Sequence, residues 1–193
     1  MRLEGQERIP SGCAVTGVID RSGRSMSGED MIRSIAVMHD RSNGLGGGFA
    51  GYGIYPDYKD FYAFHLFYDD TFAKQQTEEF LARHFEIAYA SEIQTHKIPE
   101  ITNEPLIYRY FLSPLRRKLE SSHLDEGEYT ARCVNRINAG ITGAYVFSSG
   151  KNMGIFKAVG FPEDVGRFYR LDEYFGYSWT CHGRYPTNTH GWW

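Results

Sequence analysis

Two short stretches of this chain carry residue types whose spacing could do chemistry. The first is Ile-Pro-Ser-Gly-Cys13-Ala-Val-Thr-Gly-Val-Ile-Asp, where a cysteine stands behind a small-residue junction and opens an apolar strand pattern. A cysteine so placed reads as the start of a mature protein. With Met1 to Gly12 removed as a leader, Cys13 carries a free α-amino group beside its thiol, so nucleophile and base come from one residue. The second stretch is Trp179-Thr-Cys-His-Gly-Arg-Tyr-Pro-Thr-Asn-Thr-His-Gly-Trp-Trp. A strand that ends in Arg184 and breaks at Pro186 into hydroxyl and amide residues presents a guanidinium and neutral hydrogen-bonding groups in one mouth, which suits a small zwitterion. Arginine holds a planar carboxylate by two parallel charge-assisted bonds, so Arg184 can anchor an α-carboxylate. A surface or interface ion pair accounts for the same arginine and is the commoner role for that residue type.

The rest of the composition narrows the classes. A length of 193 residues suits one domain with a real core. A net charge of −3 without a basic block argues against nucleic acid as a partner, and the aromatic residues read as core and pocket lining. No apolar run approaches the roughly 20 residues that cross a bilayer, and charged Met1 to Gly12 lacks the apolar centre of a secretory signal; a cytoplasmic protein is expected. Cys13, Cys133 and Cys181 are far apart with no Cys-x-x-Cys pair, so neither a disulfide framework nor a zinc or iron–sulfur site is expected. Cys133 and Cys181 read as small core residues. His39, His182 and His190 show no ligand spacing and are expected in structural or substrate-shell roles, with no metal and no cofactor. The chain contains neither Gly-x-Gly-x-x-Gly after a strand nor Gly-x-x-x-x-Gly-Lys-Ser/Thr, so no nucleotide site is indicated.

These residues must be held by elements that the pattern outlines. Ala14 to Ile19 reads as a strand, followed by a polar turn at Arg21 to Ser27 with Ser27 available as a cap, and then a helix from Glu29 to His39. The glycine-dense bend from Arg41 runs into a strand at Phe49 to Tyr55, and a hairpin turning at Tyr55-Pro56-Asp57 leads to a second strand at Asp60 to Tyr68. Thr71 to His84 is an amphipathic helix, Glu86 to Ile93 and Leu106 to Leu112 are strands, and Glu128 to Asn138 is a helix. The runs Gly143 to Ser148 and Gly154 to Val159 form a hairpin across Ser149-Gly150-Lys151-Asn152. A short helix at Pro162 to Tyr169 and a strand at Tyr177 to Arg184 complete the pattern. Paired strands separated by helices, without β-α-β alternation, predict an α+β layered sandwich.

Three pieces in this order resemble a known family: Pro-Ser-Gly-Cys13-Ala-Val-Thr-Gly-Val-Ile, Met38-His-Asp-Arg-Ser-Asn-Gly-Leu-Gly-Gly-Gly-Phe-Ala-Gly and His182-Gly-Arg-Tyr-Pro-Thr-Asn-Thr. Together they are similar to the class II glutamine amidotransferase domain, in the variety found as the stand-alone amidotransferase subunit of glutamate synthase and its relatives. The resemblance spans nearly the whole chain, as a leader (1–12) and the domain proper (13–193). It implies an N-terminal-nucleophile αββα sandwich with antiparallel sheets, incomplete here. It also implies a glutaminase in which the Cys13 thiolate attacks the side-chain amide of L-glutamine, releases ammonia and leaves a γ-glutamyl thioester that water hydrolyses. An α-amino group titrates at about 8 and a thiol at about 8.5, so a nearby cation can favour the thiolate while the neutral amine acts as base, with no histidine required. Arg184 would bind the α-carboxylate, Thr187, Asn188 and Thr189 would shape the pocket, and Arg41 would support the nucleophile's surroundings. Gly46, Gly47 and Gly48 would allow close backbone approach at the sheet's edge, or simply form a flexible bend. The ammonia would pass to a synthase subunit carrying flavin or iron–sulfur chemistry.

The sequence departs from the family in one respect. An Asn-Gly for the oxyanion hole and an Asp for the substrate amino group are expected beyond Trp193, and Asn43-Gly44 lies in the wrong place. Loss of an oxyanion donor costs about two to three orders of magnitude in rate, so the chain by itself is expected to be feeble, with an exposed apolar edge near Trp192 and Trp193. Two alternatives remain open: another N-terminal-cysteine amidase, and a regulatory or assembly homologue without turnover.

Overall fold

A computed structural model describes residues 12–184 and 193. The long-range pairing sorts the strands into two antiparallel sheets. Sheet 1 has the order β1 (Ala14–Ile19), β10 (Ser178–Gly183), β3 (Gly47–Tyr52), β8 (Met153–Ala158). Sheet 2 has the order β5 (Phe85–Glu92), β6 (Leu106–Pro114), β4 (Tyr62–Tyr68), β7 (Ala144–Lys151). A small ribbon joins β2 (Met26–Ser27) to β9 (Phe175–Gly176). The α+β class with antiparallel sheets is therefore present.

The helices begin where their sequences supply partners for free backbone amides. Asp70 accepts from Ala73 N at 2.8 Å and opens α2 (Thr71–His84), and Asp125 accepts from Glu128 N at 2.8 Å and opens α4 (Glu126–Gly140). Proline at the first position, with Glu163 and Asp164 in the first turn, starts α5 (Pro162–Phe168). For α1 (Glu29–Ala36) the cap position is Gly28, and Ser27 Oγ accepts from Glu29 N at 3.2 Å. A further helix, α3 (Arg116–Ser122), was not legible in the sequence pattern. Among the described residues no helix is long and apolar enough to cross a membrane.

α1 and α5 pack on one face of sheet 1, whereas α2 and α4 pack against sheet 2. The first core joins Phe49, Phe156 and Trp179 of sheet 1 to Ile32, Ile35, Val165 and Phe168 of the helices and to Ala63, Phe67 and Phe111 of sheet 2. The second joins Phe64, Leu66 and Tyr68 to Leu81, Tyr129, Cys133 and Ile137. Strand β4 thus feeds both cores with alternate side chains, which is why Tyr-Ala-Phe-His-Leu-Phe-Tyr is apolar almost throughout. Burial at Cys133 raises its thiol pKa, as expected of a core residue.

Both hairpins expected from turn chemistry are corrected. β3 and β4 lie in different sheets, separated by a single 3-10 turn at Pro56–Tyr58, and β7 and β8 likewise leave the turn at Asn152 into different sheets. Turn residues permit a reversal, but each of these strands found better-matched partners far away in sequence. The exposed edge expected near the C-terminus is also corrected at Trp193. Its ring packs on Phe67 and Phe168, and its indole N–H donates to Thr102 O at 3.0 Å. Trp192 lies outside the described residues.

His65 ties the sheets together. Its Nδ1–H donates to Ile155 O of β8 at 2.8 Å, so Nε2 accepts from the Tyr55 hydroxyl at 2.8 Å. A side chain on Gly154 would meet the imidazole at 2.5 Å, so glycine is needed there. Burial drives the His65 pKa from about 6.5 down to about 3. The folded state therefore refuses a proton that the unfolded chain takes up, so stability is lost as pH falls below the unfolded value toward the folded one. The expected outcome is a urea midpoint that drops between pH 6.5 and pH 3, and a shallower drop in His65→Gln, which can make both hydrogen bonds without titrating. Equal slopes for the two proteins would contradict this account.

Candidate functional site

Strand alternation gives sheet 1 two unlike faces. Ala14, Phe49, Phe156, Trp179 and Cys181 lie on the helix side and are buried. The opposite face carries Val15, which is 67% exposed, with His182, Gly48 and Lys157 in one register row and Gly17, Thr180, Ala50 and Ile155 in the next. A cavity of about 430 Å³ lies on this face, and Arg184, His182, Lys157 and the backbone from Gly46 to Ala50 line it.

The register brings the two sequence candidates to the same end of this face. Arg184 N donates to Gly46 O at 2.9 Å, which carries the β10–β3 ladder one residue beyond Gly183. Ala14 pairs with Gly183, so Cys13, the residue before Ala14, falls beside Arg184 at the end of β1. Alternation assigns both to the face of Val15 and His182. Cys13 is an exposed free thiol, one step off the cavity wall at Val15. Cys181, one residue before Val15's partner His182 and so on the helix side, is buried, and its thiol pKa is pushed up by burial and secondarily by the Glu163 carboxylate.

Arg41 arrives from a single 3-10 turn, His39–Arg41. Its Nη2 lies 3.0 Å from where a side chain on Gly12 would begin, and Gly12 has φ +151°, so glycine directly before Cys13 makes room for the guanidinium. The turn is pinned by His39, whose Nδ1 pairs with Glu163 Oε1 while its ring stacks on Phe161 at 4.1 Å. Glu163 Oε2 is buried with no hydrogen-bond partner among the described residues. His39 therefore has a structural role, as the sequence indicated, and Glu163 is a positioning group that the sequence pattern did not reveal.

The glycine bend is corrected in one respect. Gly47 and Gly48 belong to β3, an interior strand between β10 and β8, rather than to an edge. Close approach is nonetheless real. A side chain on Gly47 would sit 2.8 Å from Pro162 Cα, and one on Gly183 would sit 2.8 Å from Pro162 Cγ, so the start of α5 packs directly under the strand ends that hold the site. Thr187, Asn188 and Thr189, together with Tyr185 and His190, lie outside the described residues. Lys157 was missed as a site residue; its signal was a single lysine in the otherwise apolar run Met-Gly-Ile-Phe-Lys-Ala-Val. Among the described residues no group of three or more His, Cys, Asp or Glu side chains is placed to hold a metal.

Comparison with known proteins gives one informative match. The chain is 50% identical over 184 residues to an uncharacterized protein of Archaeoglobus fulgidus, an alignment that takes in 94% of this chain and 48% of that protein. The chain thus spans about half the length of the relative it matches. No family model matches.

Gly47→Ala is expected to destabilise the protein by about 1–3 kcal/mol, because the added methyl meets backbone atoms of Pro162 that cannot swing away. Thermal or urea unfolding checks this, with Gly140→Ala as the control, since nothing stands within 4 Å of a side chain there. Loss confined to Gly47→Ala is the expected pattern.

Proposed function

We propose that this chain is the nucleophile-bearing part of a glutamine amidotransferase domain of the N-terminal-nucleophile sandwich type. One observation carries the reading. The register of sheet 1 brings Cys13 and Arg184, far apart in sequence, side by side on the face that holds the cavity. Two antiparallel sheets, with one pair of helices on each, support the same reading.

In this mechanism Arg184 grips the α-carboxylate of glutamine and fixes its reach. The Cys13 sulfur attacks the side-chain amide carbon, and the amine freed by removal of residues 1–12 takes the thiol proton and delivers it to the departing nitrogen. The C–N bond breaks, ammonia leaves, and the γ-glutamyl thioester remains until water attacks it and regenerates the thiol with glutamate as product. Arg41, beside Gly12, holds the backbone that presents the nucleophile. By the resemblance, Thr187, Asn188 and Thr189 would shape the α-carboxylate pocket, and the reaction also calls for an oxyanion donor. The ammonia acceptor is a glutamate-synthase-type subunit with flavin or iron–sulfur chemistry, and the setting is the cytoplasm, in keeping with three free cysteines. The apolar wall formed by Val15, Leu45 and Ile155 favours a second reading, an N-terminal-cysteine amidase acting on acylated amines.

The test is covalent labelling of the full-length protein by a glutamine-mimicking electrophile, followed by intact-mass analysis. The expected result is a single adduct on Cys13, on a chain that begins at Cys13, abolished in Cys13→Ser. Arg184→Lys should slow labelling by roughly 10–100-fold, because a point charge replaces a bidentate fork. Active material that retains residues 1–12 would overturn the amine's role, and faster labelling by a long-chain acyl electrophile would favour the second reading.

A further inference from the structure

We propose that the cavity on the open face of sheet 1 binds a short-chain dicarboxylate, with one carboxylate on Arg184 and His182 of β10 and the other on Lys157 of β8, across Gly48. The inference begins with the cavity's charge. Lys157, His182 and Arg184 line it, and no Asp or Glu among the described residues does. Lys157 is half-buried on β8, and its Nζ lies 4.6 Å from the Tyr145 ring centroid, 5.3 Å from that of Phe67 and 5.8 Å from that of Phe147. Ring faces attract a cation but supply no hydrogen-bond acceptor for its three donors. No carboxylate among the described residues pairs with this ammonium. Desolvation lowers its pKa, a penalty that a bound anion offsets.

The backbone sets the spacing. Lys157 pairs with Gly48, and Gly48 pairs with His182, so the two basic residues face one another two strands apart, roughly 10 Å between backbones. Gly48 puts no side chain between them and leaves a trough in the sheet floor. Arg184 stands one row further along β10 on the same face. Ile155, Ala50 and Val15 supply apolar surface beside the trough. A compact ion such as phosphate cannot span from Lys157 on β8 to the His182 and Arg184 side chains on β10. A chain of four or five carbons with a carboxylate at each end reaches both, lays its methylenes on the apolar row, and fits a cavity of about 430 Å³.

Glutarate has neither an amide nor an amino group, so its binding shares with the glutaminase reading only the use of Arg184 as a carboxylate anchor. Calorimetric titration of glutarate into the full chain should give saturable binding, at least tenfold tighter than butyrate or inorganic phosphate. Lys157→Met should weaken glutarate at least tenfold, and His182→Gln, a change at an exposed side chain, should weaken it several-fold without a change in melting temperature. Cys13→Ala should bind as the wild type does. Equal binding of glutarate and butyrate, no saturable binding, or an unchanged affinity in either Lys157→Met or His182→Gln would overturn the proposal. If Lys157→Met does not fold, His182→Gln and the butyrate comparison still decide it. A protein that binds glutarate but leaves Cys13 unlabelled by the glutamine mimic would lose the glutaminase reading alone.

Discussion

Everything at the candidate site depends on β10 lying between β1 and β3. That placement pairs Ala14 with Gly183 and Gly183 with Gly47, joining segments from the beginning, the first quarter and the end of the described chain in one ladder. Closing loops of this length costs entropy that local contacts cannot repay. Repayment comes from the helix side of the same strands, where Phe49, Phe156, Trp179 and Cys181 are buried against α1 and α5. One face of the sheet supplies the stability. The other is thereby left to carry Arg184, His182 and Lys157, which would be costly to bury.

The buttressing beneath the site is made of small residues and one proline. Gly47 and Gly183 both abut Pro162, so the first turn of α5 lies closer to the sheet than any side chain would allow. The same turn supplies Glu163, which pairs with His39 and so fixes the 3-10 turn that carries Arg41 to Gly12. Pro162, Glu163, His39, Arg41 and Gly12 form a physical chain from the helix start to the residue before Cys13. At the β8 end of sheet 1, His65 joins β4 to the β8 backbone and to Tyr55, so the sheet that bears the cavity is held to its neighbour by a neutral, fully buried imidazole.

Much of the local structure was legible in the sequence. The limits of α2 and β1 followed from periodicity and flanking polar residues, and α5 followed from Pro162 and the acidic residues after it. Cys133 and Cys181 were recognisable as core thiols from their apolar neighbours. The two expected hairpins failed for a common reason. Pro56-Asp57 and Gly150-Lys151-Asn152 do turn the chain, but a turn does not say whether the strands it joins pair with each other, and here each pair divides between two sheets. The place of Lys157 in the cavity wall was hidden because the residues in its register row, Gly48 and His182, are more than twenty residues away on either side.

By itself the sequence marked residue types that could carry chemistry, Cys13, Arg41 and Arg184, and outlined most of the strands and helices, because residue type and period are local properties of the chain. Only the tertiary structure decided that Cys13 and Arg184 share a strand end, that Gly47 is interior, and that a lysine, a histidine and an arginine line one cavity. Those facts belong to register, and register is set by which buried faces fit across the fold rather than by any stretch of residues read alone.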